Sequence, residues 1–386
     1  MAYLKNSSVN LLNVHYAIHA IAMNAAGVFF PVFLLRAGVS LPGVFGAIAL
    51  VLAGRFVVRP LVLLLAPGYG LRPLVIFGVL FSAVPYLLLP SVHGLDLMLL
   101  GFCVASAIGE AFYWTSYHAS FAYLGDGQHR GHQIGMREAV ASVAGIAGPL
   151  IGGLALTQFG ARTAFTAAAL VQAVAALPLL RIPRIKIPAS MPGGFRAARK
   201  GFLLFACDGW MAAGVLFAWQ VALFVSLGES FSAFGGALAV AGAAGAVASL
   251  VLGRHIDGGH GGIAVGITFA ALTGLTLFRA GATDQVALAV IANACGAVVL
   301  SLYIPTLMTA VYNQAKQSPC PLRFHAAAEG GWDAGGATGC LLIALLTWAG
   351  VPLSICILTA LPGIALSYSL LRRYYAAIPV PAPQFA

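Results

Sequence analysis

A helix needs about 20 mostly apolar residues to cross the hydrocarbon core of a bilayer, and this 386-residue chain supplies such stretches one after another. Cut at turn residues and charges, they fall near 9–35, 42–66, 72–92, 95–123, 131–157 and 161–182, then 201–227, 230–253, 262–281, 285–314, 324–348 and 351–372. Only 8% of residues are charged and 61% are hydrophobic, where a soluble domain carries roughly 25% charged residues. Too little polar surface exists to keep such a chain in water. The expected fold class is therefore an all-α polytopic membrane protein with 12 transmembrane helices in two six-helix halves.

The division into halves comes from the one long hydrophilic connection, RIPRIKIPASMPGGFRAARK over 181–200. Its prolines and its Gly-Gly favour a linker over a surface helix. The expected organisation is an N-terminal six-helix bundle over 1–183, a cytoplasmic linker over 184–200, and a C-terminal six-helix bundle with a short tail over 201–386. Glu138, Gly145 and Gly148 align with Glu329, Gly336 and Gly339 at one constant offset, a faint internal repeat of the kind found in transporters. Basic residues set the orientation. With both termini inside, the inner segments hold Lys5, Arg72, Arg130, Arg181, Arg184, Lys186, Arg196, Arg199, Lys200, Arg254, Lys316, Arg323, Arg372 and Arg373. The outer loops hold only Arg36, Arg162 and Arg279. That bias predicts a multi-pass protein of the cell (inner) membrane with both termini cytoplasmic. It also accounts for the net charge of +10 without nucleic acid, since no Lys/Arg stripe interleaved with aromatics is present. The six cysteines form no CxxC pair and read as small buried hydrophobes. The first apolar segment is too long for a cleavable signal peptide.

Eight ionisable residues fall within or near the spans: Arg55, Arg59, Glu110, Arg137, Glu138, Asp208, Glu329 and Asp333. At about 2.5–3.5 kcal/mol each for an unpaired charge at mid-membrane, they would together cost roughly 20–28 kcal/mol. They must therefore pair or face water between the halves. Arg55 and Arg59 are spaced i, i+4 and share a helix face, a pair of forks suited to a carboxylate or phosphate or to neutralising Glu110 or Glu138. Glu110, Trp114 and His118 recur at i, i+4, i+8, with Tyr113 and Tyr117 on an adjoining stripe. His325, Glu329 and Asp333 repeat that spacing, with Trp332 adjacent. Two stripes of acid and histidine in separate halves predict two walls of one cavity. His15 and His19 form a further i, i+4 pair, able in principle to chelate a metal, but no segment holds a complete ligand set and no metal site is assigned. Glu110, Glu138, Asp208, Glu329 and Asp333 are the candidate proton-coupling carboxyls, because burial moves a carboxyl and histidine already titrates near neutral pH.

Gly145, Gly148, Pro149, Gly152 and Gly153 form a run in which small residues admit a neighbouring helix closely and proline can kink its own. This run resembles the fifth-helix signature of proton-coupled antiporters of the major facilitator superfamily, with Met136 where an earlier glycine of that signature falls. The connection LAPGYGLR over 65–72 resembles the gating loop of that family, with Pro67 and Gly68 in place of its acid and base. Its counterpart in the second half keeps Gly253 and Asp257. The resemblance implies secondary transport of a small-molecule substrate by alternating access, with protons as the driving ion, the lipid bilayer as the setting, and the chain acting as a monomer.

An enzyme is disfavoured: no Walker loop, nucleophile elbow or HExxH is present, and no cofactor is expected. Export by antiport is favoured by the antiporter-like run and the aromatic walls. Uptake or exchange of a small organic anion is the alternative, supported by Arg55 and Arg59. A transition-metal transporter and a non-transporting membrane receptor or lipid-handling scaffold complete the set.

Overall fold

The computed structural model describes residues 6–125, 130–189, 193–256 and 261–377. The predicted site residue Asp257 lies outside these residues, and Glu138 and Gly253 are described in their helical backbone alone. The described residues form helices joined by turns and a linker, with no strand among them. Six helices precede the linker: α1 (Ser7–Arg36), α2 (Leu41–Tyr69), α3 (Leu71–Ser91), α4 (Leu97–Leu124), α5 (Arg130–Gln158) and α6 (Gly160–Leu179). Six follow it: α7 (Gly194–Ser226), α8 (Phe231–Ile256), α9 (Gly261–Gly281), α10 (Val286–Gln317), α11 (Pro321–Trp348) and α12 (Leu353–Ala376).

Ten candidate spans are long and apolar enough to cross a membrane, and Val265–Gly281 is a shorter apolar helix. Helix α11 is the exception. It is long, but Arg323, His325, Glu329 and Asp333 lower its hydropathy, and it occupies the bundle interior, with His325 and Asp333 buried. Helix α7 begins at Gly194 rather than at the predicted 201. The charges that suggested linker lie on the exposed side of its first turns, while Gly194, Ala198 and Gly201 are buried at helical spacing. Gly193, in the left-handed region at φ +79°, turns the chain into that helix. Midway along α7 the hydrogen-bonding widens to a π-helical turn over Ala213–Ala218.

The most extensive helix pairings are α7 with α11, α3 with α4, α2 with α11, and α5 with α8. Counted from the first helix of each half, α2 corresponds to α8 and α5 to α11, so the α2–α11 and α5–α8 contacts between the halves join corresponding pairs of helices. Helix α2 shows how the membrane shapes each element: Val57, Leu61 and Leu64 are exposed, whereas Arg55, Arg59 and Val62 are buried. The apolar side faces outward and the cations face the protein.

One prediction is corrected. Arg279, assigned by sequence to an outer loop, is in the last turn of α9 and only 4% exposed. Its guanidinium covers the Trp219 ring at 4.8 Å and donates to the Val215 carbonyl at 2.5 Å, inside the π-helical turn of α7. Such a turn leaves carbonyls without their usual i+4 partner, and the arginine takes one of them.

Candidate functional site

Helices α4 and α11 run antiparallel, so the two predicted stripes meet rung by rung. At the end nearer the chain termini the His118 and His325 rings stack with centroids 5.8 Å apart. One rung deeper, His118 Nε2 is 3.6 Å from Glu329 Oε1. Deeper still, the arginines of α2 join both stripes. Arg55 Nη1 donates to Glu110 Oε2 at 2.8 Å, and its Nε lies 2.9 Å from Asp333 Oδ1, an ionic contact outside hydrogen-bond geometry. Arg59 Nε donates to Asp333 Oδ2 at 3.1 Å, its Nη2 also contacts that oxygen, and its Nη1 donates to Thr115 Oγ1 at 2.6 Å. Glu329 Oε2 lies 3.8 Å from Arg55 Nη2 and 3.9 Å from Arg59 Nη2. Trp332 stacks beneath Arg55, 5.4 Å from ring centroid to guanidinium carbon.

Asp333 is fully buried and Glu329 nearly so, while the Glu110 side chain keeps 38% exposure. Two guanidiniums thus meet three carboxylates. With every group ionised the cluster carries one uncompensated negative charge, and a single proton cancels it. The cluster also joins α2 and α4 of the first half to α11 of the second. Breaking a buried pair of this kind costs much more than an exposed one, so its protonation state bears on how firmly the halves hold together.

Other predicted residues are placed elsewhere. His15 and His19 stack on each other at 5.9 Å within the first half. His15 hydrogen-bonds the Ala175 carbonyl at 2.7 Å and the Tyr113 hydroxyl at 3.1 Å, and His19 meets Gln172 Oε1 at 2.9 Å. Tyr113 and Tyr117 are buried in that packing, and Trp114 stacks on His118 at 5.5 Å. Asp208 stands apart from the arginines and accepts from the Tyr303 hydroxyl at 2.6 Å. Arg137 lies over the rings of Tyr16 and Phe121. Among the described residues, no group of three or more His, Cys, Asp or Glu side chains is placed to hold a metal ion.

The glycine-proline run of α5 faces two neighbours. Gly148 and Gly152 meet α1 at Asn24 and Ala25, while Gly153 meets the Phe231 backbone of α8, and Gly235 of α8 meets Pro149. A Cβ at Gly242 of α8 would come within 2.8 Å of the Gly145 carbonyl oxygen. The same run therefore closes both α1–α5 and the inter-half α5–α8 seam.

A cavity of about 220 Å³ lies where α4 and α10 end and α11 begins, on the face that carries the termini, lined by His118, Phe121, Tyr312, Lys316, Pro321 and His325 with two alanines. On the far side the halves are closed by rings, Phe29 against Phe231 and Phe234 and Phe33 against Phe231, backed by Phe165 in the first half and Phe224 in the second. Sequence gave no signal for Thr115, Tyr303 or Tyr312 as partners, and counted Lys316 only as a loop charge.

The fold belongs to a known class. The Major Facilitator Superfamily profile matches residues 12–319, and the chain belongs to that family of membrane transporters. Among solved structures it is similar to the human organic anion transporter MFSD10 (TETRAN), at 14% identity and TM-score 0.68, with 95% of this chain and 99% of that one covered. It is also similar to FucP, a Major Facilitator Superfamily transporter captured in the outward conformation, at 14% identity and TM-score 0.67, covering 95% and 98%. No curated protein matches the chain in sequence.

Proposed function

We propose that the chain is a secondary active transporter that moves a small molecule by alternating access and couples that movement to protons through Arg55, Arg59, Glu110, Glu329 and Asp333. It works as a monomer in a cell (inner) membrane with both termini cytoplasmic. The observation that carries this is the count of charges at the α2–α4–α11 junction, two cations against three carboxylates. One proton neutralises the cluster, and Glu110 is the most exposed of its three carboxyls. Protonating a carboxylate weakens its pairing with an arginine, and so lowers the cost of separating α11 from α2. That links proton binding to the movement between halves. Export in exchange for protons is the direction supported by the α5 run and its close seam with α8.

A second reading, uptake or exchange of a small organic anion, is supported by the cavity lining and by the resemblance in fold to an organic anion transporter. Both arginines already face carboxylates, so in this state an incoming anion would compete with Glu110, Glu329 and Asp333 for them.

Proton flux into proteoliposomes, recorded with an internal pH dye across metabolite and drug panels, tests the proposal. Substrate-dependent flux should fall sharply in Glu329→Gln and Glu110→Gln. Unchanged flux in both, and in Asp333→Asn, would sink the coupling role of the cluster.

A further inference from the structure

The cavity at the termini face has a lining of one sign. Lys316 stands at its rim, the stacked imidazoles of His118 and His325 form its inner wall, and Phe121, Tyr312 and Pro321 flank them. Among the described residues no carboxylate lines it. Glu329 stands behind His118 and faces both arginines. Outside the lining, the Arg137 guanidinium lies 5.5 Å from the Phe121 ring. His325 is 4% exposed, and its Nε2 makes no hydrogen bond among the described residues. Buried polar atoms without a partner are rare in native proteins, and a ligand acceptor would satisfy this one.

We infer that this cavity binds the carboxylate of a small organic anion, with Lys316 and His325 as the donors and Phe121 and Tyr312 against its apolar part. The inference names the substrate class of the transport reading above and rests on it. Lysine acts here as a point charge and the imidazole N–H as a directional donor. The volume of about 220 Å³ is below the roughly 300–1,000 Å³ of drug-sized sites, which selects a compact acid over a bulky amphipath. The site is distinct from Arg55 and Arg59, which the sequence alone singled out for an anion.

Calorimetric titration of the full chain in phosphatidylcholine nanodiscs, without any gradient, tests this. Benzoate is the probe, with benzamide as its neutral isostere and inorganic phosphate as the free-anion arm. Benzoate should bind, benzamide should not, and phosphate should bind more weakly because it gains nothing from the aromatic flank. Lys316→Met should weaken benzoate binding roughly ten- to a hundredfold, the loss of one charge-assisted hydrogen bond. Lys316→Arg, which keeps the charge, should retain most of it. His325→Gln should weaken it by a smaller factor, and Lys186→Met in the exposed linker should leave it unchanged. No heat with benzoate, equal binding of benzamide, or wild-type affinity in Lys316→Met would each overturn the site. Benzoate binding without any substrate-driven proton flux would instead leave the site standing and remove the coupling proposal.

Discussion

Asp333 is fully buried, and both of its oxygens face guanidinium groups. Removing one partner leaves an uncompensated buried charge, whereas removing both leaves packing alone. Arg59→Met should therefore lower thermal stability in detergent by about 3–5 kcal/mol, and Arg59→Met combined with Asp333→Leu should recover most of that loss. Transport should stay impaired in the double variant. A double variant as unstable as the single would show that the pairing is not what Arg59 contributes. At this scale the sequence was legible wherever helical spacing alone fixes a face. Arg55 with Arg59, Glu110 with His118, and His325 with Asp333 could be grouped because each lies on one turn-by-turn stripe. What joins one stripe to another is set by tertiary packing, so neither the Arg59–Thr115 bond nor the Asp208–Tyr303 pair could be anticipated. The same blindness applies to His15 and His19. Their spacing suits a chelate, but the Ala175 carbonyl and Gln172 that engage them come from distant sequence.

Helix α8 offers an internal control for the α5 seam. A Cβ at Gly242 would come within 2.8 Å of a backbone oxygen of α5, and one at Gly235 would collide with the Pro149 backbone, yet one at Gly236 meets nothing within 4 Å. Backbone cannot move aside as a flexible side chain can. Gly242→Ala and Gly235→Ala should each destabilise the chain by about 1–3 kcal/mol, the cost of overpacking, and Gly236→Ala should fall within about 0.5 kcal/mol of the native chain, as for an unconstrained surface change. Thermal unfolding in one detergent compares the three, and equal changes would mean that close approach does not set these positions apart, since helix propensity alone favours alanine at all three. Elements were legible in number and order because length and apolarity define a span. Their ends were less so: the arginines that begin α7 read as linker, and Arg279 at the end of α9 read as loop. In both cases a charge marked a boundary that burial on one helix face carried past it.

The molecule as a whole is closed on the far side and carries its cavity on the face of the termini, so alternating access requires the far side to part. Ion pairing and ring packing both bridge it. Arg36 and Glu229 approach at 3.6 Å but both are exposed, and an ion pair of that kind contributes about 0–1 kcal/mol. The rings of Phe29, Phe33, Phe231 and Phe234 are packed between the halves, and aromatic pairs add about 0.5–1.5 kcal/mol each beyond their buried area. Apolar packing therefore holds the seal, and the charges at its rim only decorate it. Arg36→Ala with Glu229→Ala should transport at close to the native rate. Replacing the same two residues by cysteine, on a chain whose natural cysteines are alanine, and joining them with a short bifunctional thiol reagent should stop transport in proteoliposomes. Reductive release of the link should restore it. The linked chain should still titrate with benzoate, because the cavity opens on the opposite face. Full-rate transport through the linked chain would mean that the far side does not open there, and that α1 and α8 move as one body.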